Sequence, residues 1–310
     1  MNQTPRSLIT LDALDRDTLE ALLEAAGRYL APNAATAHRA RLAGEAVALL
    51  FCEPSTRTRF SFELAAHRLG ADVVALDEGA SSRTKGETLS DTIATLSAMD
   101  TRLAVVRHRD DEVMAGLASQ LPPGTALISA GEGTRSHPTQ GLLDALTIRR
   151  HRSDPEQLAV AIVGDIAHSR VARSTARALM LLGVRDLRLI GPPAFLPTDD
   201  DDMPGKPTTD IEAGLADADV VMALRIQRER MAASECPEVD SYRRDYGLDR
   251  ARLSAHAKPD ALLMHPGPVN WGVELDPGLK AWPHNVINEQ VHNGVAMRMA
   301  VLDWLAGESE

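Results

Sequence analysis

Ala46-Val47-Ala48-Leu49-Leu50-Phe51-Cys52-Glu53-Pro54-Ser55-Thr56-Arg57-Thr58-Arg59-Phe60 is the stretch on which the fold class turns. Ala46–Cys52 is apolar without interruption and reads as a strand; Ser55 then stands at a helix start, and the spacing from Arg59 to Leu69 is helical. The same alternation runs from end to end. Asp72–Leu76, Leu103–Arg107 and Ala126–Ser129 complete the strands of the first half, and Ala159–Val163, Leu187–Ile190, Val220–Leu224 and Ala261–Met264 form those of the second. Helical patterns at Thr18–Leu30, Thr88–Met99, Thr139–Arg150 and Ser169–Leu182 lie between them. Continuous apolar strands with intervening helices imply parallel sheets covered on both faces. The class is α/β: two doubly wound domains, each with a central parallel sheet flanked by helices.

A chain of 310 residues suggests two domains, at roughly 150 residues each. The polar segment His151–Gln157, with Pro155 inside it, is the best junction, dividing residues 1–150 from residues 151–287. A last amphipathic helix, Asn288–Leu305, carries Val291, Val295, Met299 and Leu302 at helical spacing, and residues 288–310 are expected to pack back on the first domain. Pro192–Pro207, with its run Asp199–Asp202, reads as a solvated surface loop. Aromatic residues make up only 3% of the chain against 44% apolar residues, so both cores must be aliphatic.

The formal net charge is -11, which disfavours nucleic acid and anionic membranes as partners. Cys52 and Cys236 stand far apart in no metal-like spacing, and Cys52 reads as a small buried hydrophobe. No basic segment precedes a long apolar core at the N-terminus, and no run approaches the ~18 apolar residues of a membrane span. A soluble cytoplasmic protein is expected.

Open parallel sheets bind ligands beyond the carboxyl ends of their strands, so the chemistry is sought there. After the first strand, Ser55, Thr56 and Thr58 supply hydroxyls, the helix start supplies unpaired N–H groups, and Arg57 adds a forked cation. Those are the parts of an anion site, most naturally for phosphate. A capping serine would explain one hydroxyl, not three with an arginine among them. Arg107 ends the apolar strand LAVVR, where an anion is expected beside it; an ion pair with a protein carboxylate is the competing reading. His137 and Gln140 open a helix about one turn apart, and taken alone His137 would read as a cap or a satisfied core residue.

The run Ser55–Arg59 followed by Phe60-Ser61-Phe62-Glu63 resembles the phosphate-binding motif of the aspartate and ornithine carbamoyltransferases. Ser81–Glu87, Arg107-His108, His137–Gln140 with Leu143-Asp144, Gly164–Arg170, Arg225-Ile226-Gln227 and His265–Pro268 match further family segments in the same order, over most of the chain. The resemblance implies transfer of a carbamoyl group from carbamoyl phosphate to an amine, early in pyrimidine biosynthesis where that amine is L-aspartate, with no cofactor and no metal. It makes residues 1–150 the carbamoyl phosphate-binding domain and residues 151–287 the aspartate-binding domain. Thr58, Arg107 and His137 are implied to polarise the carbonyl, and Ser55, Thr56 and Arg57 to hold the phosphate. Gln140 and the backbone carbonyls of Pro266 and Gly267 are implied to contact the carbamoyl amine. Arg170, Arg225 and Gln227 would take the two carboxylates of aspartate, for which guanidinium forks are suited. In the family, the loop matching Ser81–Glu87 enters the neighbouring subunit's site, so Ser81 and Lys85 would act in trans and the enzyme would be a homotrimer. Whether a regulatory or dihydroorotase-like chain joins the trimers stays open.

Ornithine carries a cation, and its transferases show a thiol-containing His-Cys-Leu-Pro loop; His265-Pro266-Gly267-Pro268 here, with Arg225-Ile226-Gln227, favours aspartate. Trp271 departs from the arginine that many bacterial relatives carry after this loop. Three alternatives remain to be weighed: an ornithine or other amine carbamoyltransferase, a non-catalytic assembly subunit, and a dinucleotide-dependent dehydrogenase. The second gives no reason to keep Arg57, Lys85, His137 and Arg225, and the third lacks the glycine fingerprint.

Overall fold

The computed structural model describes residues 7–32, 38–77, 86–198, 201–231 and 237–307. The chain divides into two compact units, with breaks between Leu143 and Asp144 and between Val291 and His292, so that residues from His292 onward belong with the first unit.

In the first unit, β1 (Ala46–Phe51), β2 (Asp72–Asp77), β3 (Thr101–His108) and β4 (Ala126–Glu132) form one sheet in the order β2-β1-β3-β4, every pair parallel. The helices are α1 (Arg16–Tyr29), α2 (Thr56–Leu69), α3 (Leu89–Ser97), α4 (Val113–Ala118) and the start of α5 (Pro138–His151). Ala48, Leu50, Ala104, Val106 and Leu127 from the sheet pack against Ile93, Leu96, Met114 and Leu117 of α3 and α4. The aliphatic core expected from composition is what forms.

Local chemistry sets the helix ends. Asp15 caps α1 by accepting from Thr18 N at 2.8 Å, and Thr88 with Asp91 closes a capping box on α3. α2 ends at Gly70 in a left-handed conformation (φ 88°). In α10 (Ile287–Ala306), Asp303 accepts from Tyr29 Oη at 2.6 Å and from Arg41 Nε at 2.9 Å, and the Arg298 guanidinium lies 5.1 Å from the Phe62 ring centroid. Val295, Met299 and Leu302 of this helix are buried as their spacing predicts, but Val291 is 50% exposed.

In the second unit the sheet order is β7-β6-β5-β8-β9, again all parallel, from β5 (Ala159–Val163), β6 (Asp186–Ile190), β7 (Lys206–Thr208), β8 (Val220–Ala223) and β9 (Leu262–Met264). Around it run α6 (Arg170–Leu182), α7 (Ile211–Leu215), α8 (Val239–Tyr246) and α9 (Arg250–His256). Its core joins Ala161, Val163, Val221, Ala223 and Leu263 to Ile211, Leu215, Leu253, Leu279 and Trp282.

The segment Pro192–Pro207 is more than a solvated loop. Pro193–Phe195 is a 3-10 turn that buries Phe195 to 1% exposure, against Ile226 and Tyr242. Lys206–Thr208 adds an edge strand to β6, where Pro207 is tolerated because an edge leaves one side of the ladder unused. Among the described residues, no helix is long and apolar enough to cross a membrane.

Candidate active site

In both sheets the strand order reverses at one place, between β1 and β3 in the first unit and between β5 and β8 in the second. A crevice opens beyond the strand ends at such a switch point. The loops that carry the described candidate residues leave these strands and their outer neighbours β4 and β9.

In the first unit, Ser55 occupies the N-cap position of α2, yet its side chain makes no capping hydrogen bond. Its hydroxyl, the first N–H groups of α2 and the exposed Thr56 and Arg57 thus gather at one helix N-terminus, the geometry that favours an anion. Thr58 is buried, with its carbonyl taken by the Ser61 hydroxyl at 2.9 Å. Arg107 lies at the end of β3, in register with Phe51 of β1, and donates through Nη1 to the Ala130 carbonyl of β4 at 3.0 Å. Its Nε is 2.7 Å from Glu53 Oε1, with the two side chains 11% and 18% exposed. The protein carboxylate weighed as the competing partner of Arg107 is therefore present, and it is Glu53.

His137 and Gln140 are both buried at the start of α5, where the His137 carbonyl accepts from Gln140 N at 2.9 Å. A tight loop delivers them. Glu132 and Ser136 form an antiparallel bridge, and the Asp111 carboxylate accepts from Thr134 N at 2.9 Å and Arg135 N at 3.1 Å. At Gly133 a β-carbon would fall 2.0 Å from Asp111 Oδ1, so any other residue would displace the carboxylate that holds this loop. Glu132 accepts from Met114 N at 2.7 Å, and burial raises its carboxyl above the ordinary value despite that bond.

In the second unit, Ser169 caps α6 and accepts from Ala172 N, which places the buried Arg170 in the first turn. Asp165, fully buried at the end of β5, holds two loops together. Its Oδ1 is 2.7 Å from His168 Nδ1, and its Oδ2 accepts from Gln227 N at 2.9 Å. Ile226 is buried in a small core with Phe195 and Tyr242, while its neighbours Arg225 and Gln227 are only half-buried. The alternation points the polar pair away from that core. Burial, and then the Glu274 and Asp165 carboxylates, push the Tyr242 hydroxyl upward, so it stays protonated. After β9, Pro266 and Gly267 are half-buried and His265 is buried. Trp271 packs on the core of this unit and carries Lys280 over its ring at 4.9 Å, so the departure from arginine substitutes an apolar platform.

Ser81 and Lys85 lie outside the described residues. Reading the sequence missed Glu53, Asp111 and Asp165. Glu53 pairs with Arg107, far along the chain, and Asp165 reaches Gln227 N from another loop, so neighbouring residues gave no clue to either. Asp111 is distant in sequence from His137 and offered none.

Fold and loops together define an α/β protein that gathers the groups of an anion site at strand ends. Two family profiles match the chain: the aspartate/ornithine carbamoyltransferase carbamoyl-P binding domain over residues 6–150, and the Asp/Orn binding domain over residues 156–305. The chain belongs to the aspartate/ornithine carbamoyltransferase family. It is 50% identical, over 97% of its length and 96% of the relative's, to the aspartate carbamoyltransferase catalytic subunit of Stenotrophomonas maltophilia strain K279a. The solved structure of Trypanosoma cruzi aspartate transcarbamoylase with carbamoyl phosphate and aspartate is similar to it at a TM-score of 0.84 and 29% identity, covering 97% of this chain and 96% of that one. The same enzyme in complex with N-(phosphonacetyl)-L-aspartic acid matches at 0.82 and 29%, covering 97% and 95%.

Proposed function

We propose that the chain transfers the carbamoyl group of carbamoyl phosphate to the amine of L-aspartate, giving N-carbamoyl-L-aspartate and phosphate, an early step of pyrimidine biosynthesis. The observation that carries this reading is the arrangement at the β1/β3 switch point: a helix N-terminus whose serine is not spent on capping, beside an arginine at a strand end. Ser55, Thr56 and Arg57 hold the phosphate of the donor. Thr58, Arg107 and His137 donate to its carbonyl oxygen, where negative charge grows as the amine adds, and donors fixed in advance stabilise that charge most. A neutral imidazole N–H suffices for His137. Gln140 and the carbonyls of Pro266 and Gly267 take the carbamoyl amine. Arg170, Arg225 and Gln227 bind the carboxylates of aspartate and orient its amine for attack. The tetrahedral adduct collapses by breaking the bond to the phosphate oxygen, and the departing dianion accepts the proton released by the amine.

Ser81 and Lys85 serve a neighbouring subunit's site, and the active form is a homotrimer. Phe60 and Leu64, one turn apart on α2, are 62% and 42% exposed, and Val74 on the edge strand β2 is 39% exposed. Apolar surface of this kind beside a phosphate loop suits a subunit interface. The buried free thiol of Cys52 suits the reducing cytoplasm. Donor binding precedes aspartate; equal affinity for aspartate with and without a donor analogue would contradict that order. The deciding experiment is a transfer assay with aspartate and ornithine side by side, run with a solution mass measurement. Faster transfer to ornithine, or full activity in a monomer, would overturn the corresponding part of the proposal.

A further inference from the structure

A buried polar chain runs behind the loop His265–Pro268. The His265 backbone N–H donates to Gln290 Oε1 at 2.8 Å, Gln290 Nε2 donates to Asp144 Oδ1 at 2.9 Å, and the Thr175 hydroxyl donates to Asp144 Oδ2 at 2.7 Å. On the other side, the Gly267 backbone N–H meets His265 Nδ1 at 2.8 Å, and His265 Nε2 lies 3.1 Å from Glu274 Oε1. The same Glu274 oxygen accepts from Asn270 N at 2.6 Å. Thr175, Asp144, Gln290, His265 and Glu274 are each at most 2% exposed.

A backbone N–H can only donate. Nδ1 of His265 must therefore be bare, the ring proton sits on Nε2, and Nε2–H donates to Glu274. We propose that His265 is a positioning residue, fixed in this tautomer by Glu274, whose Nδ1 latches the Gly267 amide and so aims the Pro266 carbonyl. Glu274 clips the loop at both ends, through His265 and Asn270, and Gln290 holds the strand end from which it leaves. The Gly267 N–H and the Pro266 carbonyl belong to one rigid peptide plane, so fixing that amide orients that carbonyl directly. This role rests on the proposed contact between the Pro266 carbonyl and the carbamoyl amine.

Two substitutions separate the latch from mere filling of space. His265→Asn puts a side-chain oxygen near the Nδ1 position and keeps an acceptor for Gly267 N. His265→Gln reaches the Nε2 position with its amide, keeping the link to Glu274 but losing the latch. The expected result is kcat/KM for carbamoyl phosphate within about threefold of wild type for His265→Asn, and reduced at least roughly tenfold for His265→Gln, the scale of one lost hydrogen bond. Equal impairment of the two, with both folded by thermal melting, would overturn the role. If His265→Gln does not fold, nitrogen-15 spectra of the wild-type protein with labelled histidine decide: a protonated Nδ1 on His265 refutes the latch, and a bare Nδ1 with protonated Nε2 upholds it. The wild type's own transfer to aspartate tests the underlying reading separately. An inactive wild type sinks that reading, whereas an active one with two equally impaired variants removes only the positioning role.

Discussion

Replacing Gly164 with alanine should cut kcat/KM for aspartate by about a hundredfold while leaving KM for carbamoyl phosphate in place. Gly164 directly follows β5 at φ 137°, and a β-carbon there would fall 2.4 Å from the Leu224 carbonyl oxygen and 3.0 Å from Leu224 Cβ, where ordinary contact begins at 3.4 Å. The loops after β5 and β8 would have to part by about 1 Å, the difference between 3.4 and 2.4 Å. Leu224 is followed directly by Arg225, and Gln227 N donates to Asp165 Oδ2 at 2.9 Å, so the same 1 Å would break the bond that joins the two loops. Misplacing a binding group by ~1 Å costs on the order of 10²-fold in rate. The forced backbone conformation adds roughly 1–3 kcal/mol of destabilisation, visible in thermal melting. Steady-state kinetics with aspartate varied at saturating carbamoyl phosphate read the effect. A variant that melts early but keeps aspartate kinetics within about threefold of wild type would show that these loops do not carry the acceptor, against the ~10² expected.

Ser55→Ala should leave stability within ~0.5 kcal/mol of wild type, where loss of a true cap would cost about 1 kcal/mol, yet weaken phosphate binding measured by calorimetry. Arg57→Ala should abolish carbamoyl phosphate binding, whereas Arg225→Ala should mainly raise the aspartate concentration required; untouched aspartate kinetics in the latter would contradict the acceptor assignment. For Glu132, burial raises the folded-state carboxyl above its ordinary 4.5, so between the two values the folded chain binds more protons than the unfolded chain. Stability therefore falls as pH rises from 4.5 through the raised value. Glu132→Gln should remove that fall, and denaturant unfolding across this range should show the variant gaining on wild type as pH rises; an unchanged gap would contradict the burial of this acid.

The parallel sheets were legible because their central strands are unbroken apolar runs: β1, β5 and β8 are buried along nearly their whole length. No such pattern marks β7, a three-residue edge strand containing proline inside a segment rich in Pro and Asp, nor the burial of Phe195 within it. Its partners Ile226 and Tyr242 come from distant parts of the chain, and tertiary packing outweighs local composition there. Candidate cations could be proposed from the sequence, Arg107 because an arginine ending an apolar strand calls for an anion beside it, Arg225 only through the family resemblance. Their carboxylate partners could not. Asp165 and Glu53 matter through contacts that form only when two loops meet, and Glu274 acts on His265 by accepting a single imidazole proton.

The acceptor follows from charge. Arg170 is buried to 6% exposure in the first turn of α6, where the helix dipole adds further positive potential, and Arg225 is half-buried at the end of β8. The nearby carboxylate of Asp165 is committed to Gln227 N and the His168 ring. A second carboxylate on the acceptor fits such a site. A side-chain ammonium in its place would meet the guanidinium that holds the side-chain carboxylate with a repulsion of about 3 kcal/mol at roughly 5 Å and an effective dielectric near 20. Losing an attraction of that size and gaining the repulsion together amount to a factor on the order of 10⁴. Ornithine should therefore be carbamoylated at least about 10³-fold more slowly than aspartate at equal concentration, allowing for some relaxation of the side chains. Rates within tenfold of each other would mean that neither Arg170 nor Arg225 faces the acceptor's side chain.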